Sequence, residues 1–379
     1  MHKIGIIAEY NPFHKGHAYM IDTIKSSYPD SAIIAVMSGD FTQRGEIAIY
    51  DKYYRAKKAL EGGVDLVAML PASCSLQSAQ GFARAGISLL KELGCTHIAF
   101  GAEDDNLTVL KSLADTDIAK EDIAPFLKEG MSYPAAVERF YKSLGLDCSL
   151  AKSPNNTLAI EYLRAIRILK VGMTPILVKR CGAGYNSTDI DNPYPSAMAI
   201  RQALISGHIT SGEGFVADTD LDEITLYSLK KALYDNSIRN IRGYHEHLEN
   251  KLRKEADYTD VDSLITSVKS KDITYQAIKR HLCCILLGIT QSESYPEYIR
   301  ILGFTQKGQL CIRDIKGKTS LPVITTLAKA KSITSLTRTD DFAHEIYKDA
   351  YQRRNHTVLT PDYKRPPVIY DFSRSPFSD

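Results

Sequence analysis

An α/β fold, a Rossmann-like parallel sheet followed by a second, mainly helical domain, is what this sequence predicts, on three observations. Short β-branched-rich apolar runs alternate with amphipathic stretches up to about residue 180. The alternation stops near residue 205, and the remaining chain reads as helices separated by charged turns. Strand–helix alternation implies right-handed βαβ units. On such sheets ligands bind beyond the carboxyl ends of the strands, where the strand order switches.

The predicted strands are Lys3–Ala8, Ala32–Met37, Val64–Leu70, Thr96–Phe100 and Thr174–Val178. Between them the 3.6-residue period predicts helices over Gly16–Ser27, Asp51–Glu61 and Gly81–Leu93, a longer helical tract from Asn106 to about Leu144, and Thr157–Leu169. Asp218–Asn250, Val261–Ser270 and Thr274–Leu287 read as helices of the second domain, and the segment from Pro296 to Lys331 holds room for a small β element. Lys364-Arg365-Pro366-Pro367 reads as an extended tail on the surface. The domains divide as 1–205 and 206–379, as the length of 379 residues allows.

Composition narrows the class. The chain is 44% hydrophobic and 24% charged, without low-complexity tracts, so a sizeable core is expected rather than disorder. No stretch reaches the ~20 apolar residues that span a bilayer, and the N-terminus lacks a signal-peptide pattern. Seven cysteines without a CxxC pair predict reduced core residues and a cytoplasmic location. The net charge of +2 hides a local excess: residues 264–338 carry 12 Lys/Arg against 4 acids, a difference of +8. Such a stretch suits a phosphate backbone, with a solvated surface as the plain alternative.

Chemistry concentrates in Glu9-Tyr10-Asn11-Pro12-Phe13-His14-Lys15-Gly16-His17, directly after the first predicted strand and at the opening of the first helix. Two histidines three apart at a helix start point at one anion together with the helix N–H groups. An imidazole on each side of an α-phosphate stabilises the charge of in-line displacement. Read as metal ligands, the pair lacks a third partner, so no metal site is expected.

This segment resembles the HxGH signature of the nucleotidyltransferase superfamily. With Met37-Ser38-Gly39-Asp40-Phe41-Thr42-Gln43-Arg44-Gly45-Glu46, Gly63-Val64-Asp65-Leu66-Val67, Phe100-Gly101-Ala102-Glu103, Ser153-Pro154-Asn155-Asn156, Lys179-Arg180-Cys181-Gly182-Ala183-Gly184-Tyr185, Tyr298-Ile299-Arg300-Ile301-Leu302-Gly303-Phe304 and Leu321-Pro322-Val323-Ile324-Thr325, the chain is similar to the bacterial tRNA(Met) cytidine acetate ligase family. It departs from that pattern at Met69, Ile47, Thr157 and Met198.

The resemblance implies a nucleotidyltransferase-like catalytic domain over 1–205 and a tRNA-binding domain over 206–379. It implies ATP with Mg²⁺, acetate and elongator tRNA(Met) as ligands, an acetyl-adenylate intermediate, and N4-acetylcytidine at the wobble position as product. It makes His14, His17 and Arg180 catalytic. It assigns ATP contacts to the run Ile7-Ala8-Glu9-Tyr10-Asn11-Pro12-Phe13-His14-Lys15-Gly16-His17-Ala18-Tyr19-Met20 and to Gly101, one of Asn155 and Asn156, Lys179, Arg180, Ser196 and Arg201. Arg44, Lys52, Arg55, Lys316, Lys318, Lys329 and Lys331 are the expected RNA contacts. Two other readings stay open here: a small-molecule adenylyltransferase, and a non-catalytic RNA-binding protein with a relic nucleotide fold.

Overall fold

The computed structural model describes residues 1–103, 106–131, 133–181, 188–255, 258–271, 273–290, 293–329 and 335–371. The predicted strands form as β1 (Lys3–Ala8), β2 (Ala32–Ser38), β3 (Leu66–Leu70), β4 (His97–Ala102) and β5 (Thr174–Lys179). They are parallel, in the order β5-β4-β1-β2-β3, so the order switches beside β1. Alternation along β2 divides the core. Ile33, Ala35 and Met37 face helices Lys15–Ser27 and Lys52–Glu61, whereas Ile34 and Val36 face helices Ala79–Glu92 and Pro154–Ile168. The helical tract after Asn106 is three helices rather than one: Leu107–Asp115, Lys120–Lys128 and Tyr133–Ser143. Asn106 caps the first of them, its Oδ1 accepting from Val109 N at 3.2 Å.

The sheet does not end with the first 205 residues. β6 (Ile299–Phe304) pairs antiparallel with β3, and β7 (Val323–Ile324) and β8 (Val368–Ile369) add to β6. The free edge of β3 carries unpaired N–H and C=O groups, and the second half of the chain returns to satisfy them. The helical part is therefore discontinuous. Its core joins Leu226, Leu229, Leu264, Ile278 and Leu282 to Tyr347 of helix Ser335–Asn355, and it also takes in Phe41, Ile47, Ala72 and Leu76 from the first half. The expected boundary at 205 gives way to one unit seated on the loops of the other. The predicted helix over 218–250 is likewise two, Asp222–Tyr234 and Glu246–Lys254, separated by a left-handed Asn236 (φ 62°).

A buried ionic cluster fastens these parts together. Lys52 Nζ lies 2.9 Å from Asp40 Oδ2 and 3.2 Å from Asp362 Oδ2, all fully buried. Arg300 on β6 donates to Tyr53 Oη at 2.7 Å and to Asp362 Oδ1 at 3.3 Å, and His344 Nδ1 lies 3.2 Å from Asp40. Burial alone raises the Asp40 pKa, but Lys52 and His344 outweigh it and hold the carboxyl below its usual range. The Pro-rich tail docks here too: Arg365 lies 4.0 Å over the Tyr53 ring and bonds Asp51 at 2.9 Å.

Six of the seven cysteines are buried, and all are free; Cys181 alone is exposed. Among the described residues no helix is long and apolar enough to cross a membrane.

Candidate active site

A cavity of about 350 Å³ opens at the carboxyl ends of β1, β4 and β5, at the switch in strand order. Among the described residues its lining carries Arg44, Lys179, Arg180 and Arg201 against a single acid, Glu9, a balance suited to an anionic ligand.

The histidines owe their positions to a cap. His14 is the N-cap of helix Lys15–Ser27. Its Nδ1 accepts from Gly16 N at 3.0 Å, while His17 Nδ1 accepts from His14 N at 3.2 Å. This is a reciprocal capping box built from imidazoles. The rings stack with centroids 3.8 Å apart. Because each Nδ1 is spent as an acceptor, each neutral ring carries its proton on Nε2 and keeps an outward donor. Burial, then Arg180, lowers the His14 pKa to about 4. Burial, then His14 and Arg180, lowers His17 well below its ordinary value. Both are therefore neutral donors beside a helix N-terminus. Gly16 is required because a Cβ there would sit 2.9 Å from His14 Cε1 and displace the capping ring.

The chain reaches this helix through a tight turn. Tyr10 is left-handed (φ 46°), the Asn11-Pro12 bond is cis, and Asn11 Oδ1 accepts from Ile49 N at 2.7 Å. Arg55 holds the strand ends beneath, donating to the carbonyls of Glu9 (2.7 Å), Ser38 (3.0 Å) and Tyr50 (2.9 Å), and to that of Gly39.

On the β4–β5 side Arg180 N bonds Ala102 O at 2.9 Å, extending the ladder one residue beyond β5. Gly101 lies beneath its side chain; a Cβ there would lie 3.2 Å from Arg180 Cγ. Asn155 lines the cavity and Asn156 does not: Asn156 is buried and its Oδ1 accepts from Glu103 N at 3.0 Å. Glu103 also bonds Ser153 Oγ at 2.6 Å and Asn155 Nδ2, so it sets the start of helix Pro154–Ile168. At the far wall Ser196 caps helix Ala197–Ile205 through Ala199 N (3.0 Å). Arg201, expected to face the phosphates, lines the cavity yet is tied to Glu46 Oε2 at 3.1 Å and Asn11 O at 2.8 Å.

Of the expected ATP segment, Ile7, Ala8, Glu9, Tyr10, Asn11, His14, Gly16, His17, Tyr19 and Met20 line the cavity. Pro12, Phe13 and Lys15 instead line a second, more open groove with Tyr50 and Tyr54, and Ala18 lines neither. Sequence reasoning passed over Phe82, Phe100, Leu158, Tyr162 and Tyr194, which line the cavity but have the pattern of core residues.

The expected RNA contacts separate. Arg44 lines the cavity. Lys52 and Arg55 are corrected: both are fully buried, Lys52 in the ionic cluster and Arg55 among backbone carbonyls. Lys316 and Lys318 are exposed, just past helix Gln306–Ile315, whose Asp314 bonds both Lys318 and Lys3 (2.6 Å) at the amino end of β1, the end of the sheet opposite the cavity. The Lys329 side chain and Lys331, like Gly184 and Tyr185, lie outside the described residues. The basic excess over 264–338 is also partly internal, since Arg300 is fully buried and Lys279 pairs with Asp218 at 2.8 Å.

The model of the HIGH Nucleotidyl Transferase family matches residues 1–360. The tRNA(Met) cytidine acetate ligase of Caldanaerobacter subterraneus subsp. tengcongensis is 35% identical over 404 aligned positions, covering 97% of this chain and 99% of that protein. The protein of that name from Acetivibrio thermocellus is 34% identical, covering 86% and 89%. Crystal structures of Thermotoga maritima TmcAL, apo and bound with alpha-thio ATP, superpose with TM-scores of 0.86 and 0.85 at 26% identity, over 98% of this chain and 100% of theirs. The chain belongs to the HIGH nucleotidyl transferase family and, within it, to the tRNA(Met) cytidine acetate ligases.

Proposed function

We propose that this chain activates acetate with ATP and transfers the acetyl group to the wobble cytidine of elongator tRNA(Met), giving N4-acetylcytidine. The observation that carries it is the pair of neutral imidazole donors, His14 and His17, fixed at a helix N-terminus where the strand order switches. Acetate attacks the α-phosphorus and pyrophosphate leaves; the cytidine N4 amine then attacks the acetyl carbonyl and AMP leaves. Activation is needed because the amine lone pair is delocalised into the ring. His14, His17 and Arg180 stabilise charge at the α-phosphate, and Asn155 and Gly101 border the nucleotide. Mg²⁺ would come with the triphosphate and would offset the charge of the leaving pyrophosphate; among the described residues of the lining, Glu9 is the one acid that could reach it. tRNA as substrate implies work in the cytoplasm, and Arg44 at the cavity meets the tRNA.

The test is labelled acetate with ATP, Mg²⁺ and tRNA(Met), or the same tRNA with its wobble cytidine replaced. Label is expected only in the cytidine-bearing tRNA. Brisk pyrophosphate exchange with another acid, and no label in either tRNA, would return the chain to small-molecule adenylyl transfer.

A further inference from the structure

Glu9 occupies a place that charge stabilisation at the phosphate does not explain. It follows β1, the strand between β4 and β2, and among the described residues it is the one acid of a lining otherwise rich in cations. Its Oε1 accepts from Gln43 N at 2.9 Å, while Oε2 has no hydrogen-bond partner among the described residues. Its backbone carbonyl is clamped by Arg55 at 2.7 Å, so the carboxylate stands on fixed main chain. The nucleotide elements, Gly101, Asn155 and Arg180, lie on the β4–β5 side, and Glu9 with Gln43 and Arg44 lies on the β1–β2 side. With the nucleotide over β4 and β5, the β1–β2 side is the part of the lining left for an acyl group and an attacking amine.

Resting on the ligase reading above, we propose that Glu9 is the general base of the acetyl-transfer step, taking the proton from the cytidine N4 amine. The N4 lone pair forms the N–C bond to the acetyl carbonyl, the C–O bond to the phosphate of the adenylate breaks, AMP departs with that electron pair, and the released N4 proton moves to Glu9 Oε2. The surroundings favour a base that titrates above an ordinary glutamate. Burial first, then Glu46, raises its pKa, while the Gln43 N–H, Arg44 and Arg201 pull it partly back; Tyr162 and the buried Arg55 also face it. A carboxyl raised toward the working pH is the better proton acceptor.

The experiment bypasses activation by supplying preformed acetyl-adenylate and tRNA(Met) in single turnover. E9Q keeps the size of the side chain and an oxygen for the Gln43 N–H. Transfer by E9Q is expected to slow by roughly 10²–10⁴-fold, far more than its acetate-dependent pyrophosphate exchange slows. The wild-type transfer rate should rise with pH and reach a plateau, a rise E9Q lacks, and E9D should restore transfer in part. E9Q transfer at the wild-type rate, or equal losses in transfer and exchange, overturns the role of Glu9 alone. A wild-type protein that transfers nothing from acetyl-adenylate overturns the ligase reading, and this role with it.

Discussion

His14 and His17 stay neutral because their own fold withdraws solvent from them and turns each Nδ1 inward. Replacing His17 by Ala removes a donor and half of the capping box. It should reduce acetate-dependent pyrophosphate exchange by roughly 10²–10³-fold, the range seen when one preorganised donor is lost. The neutral state also has a consequence for pH. A histidine whose folded pKa is depressed contributes stability that is complete above its unfolded value near 6.5 and lost as pH falls through its folded value, here about 4 for His14. The melting temperature of the wild type, measured without ATP, should therefore fall between pH 6.5 and 4 more steeply than that of H14N. Identical curves would show that His14 is not held neutral.

At the scale of elements, the ionic cluster fixes how β6, helix Lys52–Glu61 and helix Ser335–Asn355 meet. Removing one partner from a buried ion pair strands the others. K52M should therefore cost about 3–5 kcal/mol in denaturant unfolding, where an exposed RNA contact would cost almost nothing. Legibility in the sequence divides in the same way, between local and distant causes. The Gly16–Ser27 helix and its histidines were legible because a cap is decided within three residues. Lys52 and Arg55 looked like surface cations because their partners Asp362, 310 residues away, and the Glu9 carbonyl belong to other elements. β6 was seen only as a possible β segment, for its place depends on the open edge of β3. Phe100 and Tyr162 were invisible as site residues, since an aromatic beside a ligand and one in a core share a pattern.

At the scale of the molecule, the cavity opens at one end of the sheet. Lys316 and Lys318 lie at the other. Filter binding of tRNA(Met) across a salt series should show R44A weakening affinity more than the K316A/K318A double variant, with each lost phosphate contact lowering the salt slope by about one. The reverse order would move the RNA path to the far end. The central claim, that the cavity at β1 and β4 makes acetyl-adenylate, is tested most directly by exchange of labelled pyrophosphate into ATP without tRNA. Exchange that requires acetate in the wild type and collapses in H14A and H17A is the predicted result. Exchange that ignores acetate, or persists in both variants, would contradict it.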